Sequence, residues 1–198
     1  MKNLTKTKFV LITALSITFF IGVFSSNIFA EKLGGKSGQY AVYFEISSQV
    51  SSSYTSEIKD AAVNWNGIAD IALRYRPDWQ NVYDYYIYND IDVQYMANDA
   101  YWTSQGYYGF GIPGPDGNSG TYTYGDLYIV NGNCKNLSSH DKEMVITHEF
   151  GHLLGLAHTE DGVFSAVNSI MDDGDVFDNE INGPTGYDEE ELRDLYPY

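Results

Sequence analysis

The chain has 198 residues and a formal net charge of −16, set by 27 acidic and 11 basic side chains. So acidic a surface repels nucleic acid and anionic membranes, and we expect neither as a partner. The single cysteine, Cys134, excludes an intramolecular disulfide, and nothing in its neighbourhood marks it as a nucleophile.

Residues 1–30 have the organisation of a secretory signal peptide. Basic residues open the chain, an apolar run covers 9–24, and small residues lead up to Ala30. A membrane anchor is the alternative, because residues 9–29 are just long enough to cross a bilayer. The polar residues 25–27 favour cleavage after Ala30. We therefore expect a secreted, extracellular monomer with no stable membrane association after the signal is removed.

Residues 31–198 fit a single domain. The Gly- and Lys-rich stretch 31–39 is expected to be a flexible leader, and the alternation over 40–46 predicts a first strand. Apolar residues then recur at intervals of three and four from Ile58 to Leu73, which predicts an amphipathic helix of about six turns. Pro77 would end it.

The second half of the chain alternates strand and helix patterns. Strands are predicted over 82–95, 106–112 and 125–130, with a Gly/Pro-rich loop over 113–120. A helix over 139–154, capped by Ser138 and ended by Gly155, is followed by irregular chain and a helix over 188–195. This order predicts an α+β domain with a mixed, twisted sheet, a long first helix and a short C-terminal helix.

The sequence HEFGHLLGLAH, residues 148–158, carries the chemistry. His148 and His152 lie one turn apart on the predicted helix and can place two nitrogens on one ion at ~2.0–2.1 Å. Glu149, turned by about 100°, can reach a water on that ion without being a ligand. Gly155 tolerates positive φ and can turn the chain so that His158 becomes a third ligand. Three nitrogens and an open fourth position are typical of catalytic zinc.

The alternative to a zinc site is an amphipathic helix whose histidines are only polar surface residues. It is disfavoured because three of the four histidines in the chain fall on the pattern. A zinc-binding module without catalysis is disfavoured because Glu149 is present. A tethered protein with a structural metal is disfavoured because a closed site needs four ligands.

The segment resembles the metzincin zinc-binding consensus HExxHxxGxxH, and its surroundings resemble the matrixin branch. Met171, in Ser-Ile-Met, stands where metzincins carry the Met-turn, and residues 186–196 resemble the helix that closes matrixin catalytic domains. The resemblance implies a zincin-like fold, one catalytic zinc and hydrolysis of protein or peptide substrates. In that mechanism Glu149 is the general base that takes a proton from water and delivers it to the leaving amine.

The resemblance also implies a substrate cleft. An extended substrate would lie along the sheet edge near Tyr107 and Tyr108. The pocket past the scissile bond would be lined by Met144 and Val145 on the zinc helix and by the chain after Met171.

The chain departs from the matrixin pattern in several ways. Thr159 replaces the usual serine after the third histidine, and only His140 is left over, so a second, structural zinc is not expected. No counterpart of the inhibitory prodomain with its zinc-binding cysteine is expected. The acidic run over 172–180 and the loop residues Asp116 and Asn118 are candidate calcium sites, although a solvated loop is the favoured reading.

Overall fold

The computed structural model describes residues 32–76, 90–114, 120–159, 168–172, 175–177 and 181–198. Its strands are β1 (Gly35–Ser37), β2 (Ala41–Ile46), β3 (Ala72–Tyr75), β4 (Asp90–Tyr95), β5 (Gly109–Gly114), β6 (Gly120–Tyr122) and β7 (Tyr124–Ile129). Its α-helices are α1 (Thr55–Trp65), α2 (Asp99–Ser104), α3 (Asn131–Cys134), α4 (Ser139–Leu153) and α5 (Gly186–Leu195). Short 3-10 helices cover Ser52–Tyr54 and Asp175–Phe177.

A five-stranded mixed sheet forms the framework of the domain. Its strand order is β3-β2-β4-β7-β5, in which β5 alone runs antiparallel, to β7. β5 therefore ends the sheet, and α4 packs beneath it. The predicted α+β architecture with a mixed sheet is confirmed.

The core lies between the sheet and the helices α1 and α4. Phe44 on β2 packs edge-on against Phe150 on α4, with ring centroids 5.3 Å apart. Trp65, at the end of α1, is buried and donates its indole N–H to the carbonyl of Thr147, 2.8 Å away. This bond joins the end of α1 to α4.

The first helix is shorter than its apolar spacing predicts. α1 ends at Trp65, the following Gly67 has φ +86°, and Leu73 belongs to β3. The Asn66 side chain bonds both the N–H and the carbonyl of Leu73 and so closes the turn. The prediction of a six-turn helix was wrong, because buried residues of the turn and of β3 continued a helical spacing by coincidence.

Residues 32–39 also differ from the flexible leader that their composition predicts. β1 pairs in parallel with β6, and Lys32 forms an isolated antiparallel bridge with Leu156. Leu33 donates its N–H to the carbonyl of Gly155, and Ser37 donates its N–H to the Tyr196 hydroxyl. Glycine and lysine content suggested mobility, but these bonds use backbone atoms that composition does not reveal.

The other boundaries agree closely with the sequence. α4 begins after Ser138, as predicted, and α5 begins two residues earlier than expected, at Gly186. The predicted signal peptide, the first part of the strand over 82–95 and both loop residues of the calcium hypothesis lie outside the described residues, as does most of the acidic run. No helix in the described ranges is long and apolar enough to cross a membrane.

Candidate metal centre and active site

Residues at the two ends of α4 determine where the helix starts and where it stops. The Ser138 hydroxyl accepts the N–H of Asp141, 3.1 Å away, as an N-cap. At the other end Gly155 has φ +100°, and the N–H groups of Gly155 and Leu156 bond the carbonyls of His152 and Gly151. This is a Schellman motif with glycine at the left-handed position. It turns the chain at the place where the third histidine requires it.

The three motif histidines meet at one point. The Nε2 atoms lie 3.1 Å apart between His148 and His152, and 3.0 Å from each of these to His158. His148 and His152 are buried, whereas His158 is exposed. Within the described part of the chain this is the group that could hold a metal ion.

The opposite ring nitrogens show which atoms would bind the metal. His148 Nδ1 lies 2.7 Å from the carbonyl of Ile170, and His152 Nδ1 lies 2.9 Å from the carbonyl of Leu156. A carbonyl can only accept, so each Nδ1 carries the proton and each neutral ring directs an Nε2 lone pair at the centre. Burial lowers the pKa of His148 to about 4 and keeps its ring neutral.

Zinc suits this donor set. Two Nε2 lone pairs that face each other at 3.1 Å repel without a cation between them. A triangle of this size admits an ion at ~2.0–2.1 Å from all three nitrogens, the usual Zn–N distance, with a fourth position open. The hydrogen bonds to the carbonyls of Ile170 and Leu156 are the outer-shell contacts that orient histidine ligands. His148, His152 and His158 therefore form the zinc site.

Met171 lies in a tight turn directly against the zinc helix. The N–H of Asp172 bonds the carbonyl of Ser169, and the Met171 side chain is fully buried. Gly151 of α4 makes room for it, since a Cβ there would lie 2.4 Å from the Met171 sulfur. The N–H of Thr159, next to the third ligand, donates to the Met171 carbonyl.

Asp188, which the sequence analysis missed, holds this turn in place. Its buried carboxylate accepts the Ser169 hydroxyl and the N–H of Ile170, and also both the N–H and the hydroxyl of Thr185. Ile170 in turn offers its carbonyl to His148. A chain of two contacts thus links α5 to a zinc ligand. The Thr-x-x-Asp capping pattern was visible in the sequence, but its second partner was not.

Glu149 lies beneath β5. Its side chain is buried, and a Cβ at Gly109 would come within 2.8 Å of its Cγ and Oε1. A Cβ at Gly111 would meet the Glu149 backbone carbonyl at 2.2 Å. The two glycines allow the edge strand to lie directly on the zinc helix.

The residues predicted to line the substrate pocket lie in two places, on the zinc helix α4 and just before β5. Met144 and Val145 are buried on α4, and Tyr108 packs its ring on Phe177. Tyr107 is half exposed and packs instead on Trp102 and Phe110. Their role as a pocket stays a prediction.

Cys134 lies close to this region, but its thiol is not in a reactive state. Its thiol is buried and donates to the carbonyl of Tyr108. Burial, with a smaller effect from the charge of Glu149, raises the pKa of the thiol to about 12. It therefore stays protonated at neutral pH and is suited neither to bind metal nor to act as a nucleophile.

Comparison with solved structures identifies the fold. Myroilysin superposes with a TM-score of 0.52 at 15% identity, with 82% of each chain covered. The fold is metzincin-like. A second myroilysin crystal structure gives 0.48 at 15% identity, over 82% of this chain and 86% of that one. High choriolytic enzyme 1, a hatching-enzyme zinc protease from the medaka Oryzias latipes, gives 0.48 at 17% identity, over 87% and 96%. No family model and no curated protein sequence matches the chain.

The metzincin-like fold agrees with the zinc-helix consensus read from the sequence. The predicted elements appear in the predicted order: a strand and a first helix, further strands, the zinc helix, the Met171 turn and the C-terminal helix. The strand β1 and the short helices α2 and α3 were not predicted. The zinc site therefore lies in a fold of the type that the zinc-helix motif predicts.

Proposed function

We propose that this protein is a secreted, monomeric zinc endopeptidase of matrixin-like type, with Glu149 as its general base. The convergence of three histidine Nε2 atoms within 3.0–3.1 Å of one another carries the proposal. Glu149, next to the first ligand and beneath the edge strand, supports the catalytic role. Secretion rests on the signal-like residues 1–30, and the matrixin type rests on the sequence resemblance.

In peptide hydrolysis each part of the site has its own role. Bound zinc would polarise the scissile carbonyl and make water a stronger nucleophile. Glu149 takes the proton of the attacking water and passes it to the leaving amine. Met171 supports the ligand-bearing helix from below. The outer edge of β5, on which no strand of the described residues pairs, would hold an extended substrate by main-chain hydrogen bonds.

The direct test is cleavage of casein or gelatin by residues 31–198, with and without a zinc chelator. We expect cleavage that the chelator abolishes and that added zinc restores. A protein that binds zinc but cleaves nothing would be the non-catalytic module. Cleavage that resists the chelator would contradict the mechanism.

The ordered position of residues 32–37 leads to a prediction about the N-terminal segment. A form that begins at Gln39 loses the Leu33 bond to Gly155 and the bridge from Lys32 to Leu156. These contacts hold the turn between His152 and His158, so we expect about 10-fold lower activity than in a form that begins at Glu31. The assay is kcat/KM on one peptide at saturating zinc. A shorter form that is more active would show that the segment inhibits.

A further inference from the structure

The edge strand β5 rests on the zinc helix through two glycines, Gly109 and Gly111. They are two residues apart in the strand, so both face α4. Phe110 between them points to the opposite face, where its ring packs on Trp102. The strand therefore meets the helix with bare backbone at two points, and each point lies against a different part of Glu149.

The two contacts involve different kinds of atoms. A Cβ at Gly111 would run into the backbone carbonyl oxygen of Glu149 and would lie 3.0 Å from the Cβ of His152. A Cβ at Gly109 would instead lie 2.8 Å from both Cγ and Oε1 of Glu149, and 3.0 Å from its Cδ. The three atoms nearest to that point thus all belong to the Glu149 side chain, which is the part that the proposed mechanism uses.

The strand itself is held firmly in place. The carbonyl of Tyr108, directly before β5, accepts the N–H of Val130 at 2.9 Å and the thiol of Cys134 at 3.1 Å. The whole length of β5 is also paired with β7. The Glu149 side chain, in contrast, has three rotatable bonds. A methyl group at position 109 would therefore displace the carboxylate and leave the strand where it is.

We propose that Gly109 is a positioning residue for the general base: because it has no side chain, the Glu149 carboxylate can lie directly beneath β5. This inference rests on the proposed peptidase function. An ordinary contact of a Cβ is 3.4–4 Å, so side-chain atoms that now lie 2.8 Å from that point would have to move away. Misplacement of a reacting group by about 1 Å can cost about 100-fold in rate.

Gly109→Ala should lower kcat by roughly 10- to 100-fold and leave KM and the zinc content after dialysis near their wild-type values. None of the three atoms nearest to position 109 belongs to a histidine ligand, and the outer edge of β5 keeps its main-chain groups. A general loosening of the fold would instead raise KM or release zinc. The measurements are kcat and KM on one peptide and the zinc content of the same samples.

A double-mutant cycle with Glu149→Ala tests whether Gly109 acts through the carboxylate. Glu149→Ala removes the Cγ, Cδ and Oε1 atoms that a Cβ at position 109 would meet. In this background Gly109→Ala should lower neither the residual kcat nor the Tm of the zinc-free protein, whereas in the wild type it should lower both.

Gly111→Ala is the matched control, because the backbone oxygen and the His152 Cβ that it meets remain in Glu149→Ala. Its effects should be the same in both backgrounds. Wild-type kcat in Gly109→Ala, or the same fold-loss with and without the Glu149 side chain, would overturn the inference while the peptidase function stands.

The cycle also decides the case in which Gly109→Ala alone does not fold. Recovery of the zinc-free Tm to the Glu149→Ala value in the double variant would support the inference, and no recovery would overturn it. A wild type that cleaves no peptide would remove the proposed function, and this inference with it.

Discussion

Glu149→Ala should keep the zinc and lose nearly all hydrolysis, with kcat reduced by roughly 100- to 10,000-fold. The three ligands His148, His152 and His158 are untouched, and the hydrogen bonds that orient the first two go to the carbonyls of Ile170 and Leu156, not to Glu149. The change removes only the group that we propose as the general base. Zinc content after dialysis and kcat on one peptide are the two measurements.

Two further variants separate this effect from simple damage to the site. Glu149→Gln keeps the volume beneath Gly109 and should be as inactive as the alanine variant, since an amide cannot accept the proton. His158→Ala removes a ligand beyond the helix end and should lose zinc and activity together. Wild-type turnover in either Glu149 variant would show that the base has been assigned wrongly.

The zinc helix could be predicted from the sequence because its determinants are local. Ser138 caps its start, Gly155 ends it in a left-handed conformation, and the ligands follow at fixed offsets. Each of these depends on residues within a few positions of one another. For the same reason the prediction extended to His158, which lies only three residues beyond the turn.

The failures have other causes: one is a short turn that the apolar spacing did not reveal, and the others are contacts between segments far apart in the chain. α1 stops at Trp65 where Asn66 closes a turn with Leu73, a contact that the helical spacing of apolar residues obscured. The segment 32–37 is ordered by partners more than a hundred residues away, such as Gly155 and Tyr196. Periodicity and composition do not report such pairs. Asp188 was missed for this reason as well.

Asp188→Ala should destabilise the fold and loosen the zinc site together. The change leaves the N–H groups of Ile170 and Thr185 and the Ser169 hydroxyl without their buried acceptor, which typically costs about 3–5 kcal/mol, whereas the Thr185 hydroxyl keeps the carbonyl of Asn168. For a domain of this size that corresponds to a fall in Tm of roughly 10 °C. Ile170 then holds His148 less firmly, so zinc should also dissociate about 10-fold more readily.

Thermal unfolding of the zinc-free protein and zinc affinity by competition with a chelator measure the two effects separately. Asp188→Asn keeps one oxygen acceptor and should recover part of both. Glu189→Ala is the matched control: it removes the neighbouring carboxylate, whose exposed ion pair with Arg193 contributes ~0–1 kcal/mol. If Asp188→Ala lowers the Tm but leaves zinc affinity at the wild-type value, Asp188 stabilises α5 without positioning His148. Because its bonds reach both Thr185 and Ile170, we expect both quantities to change.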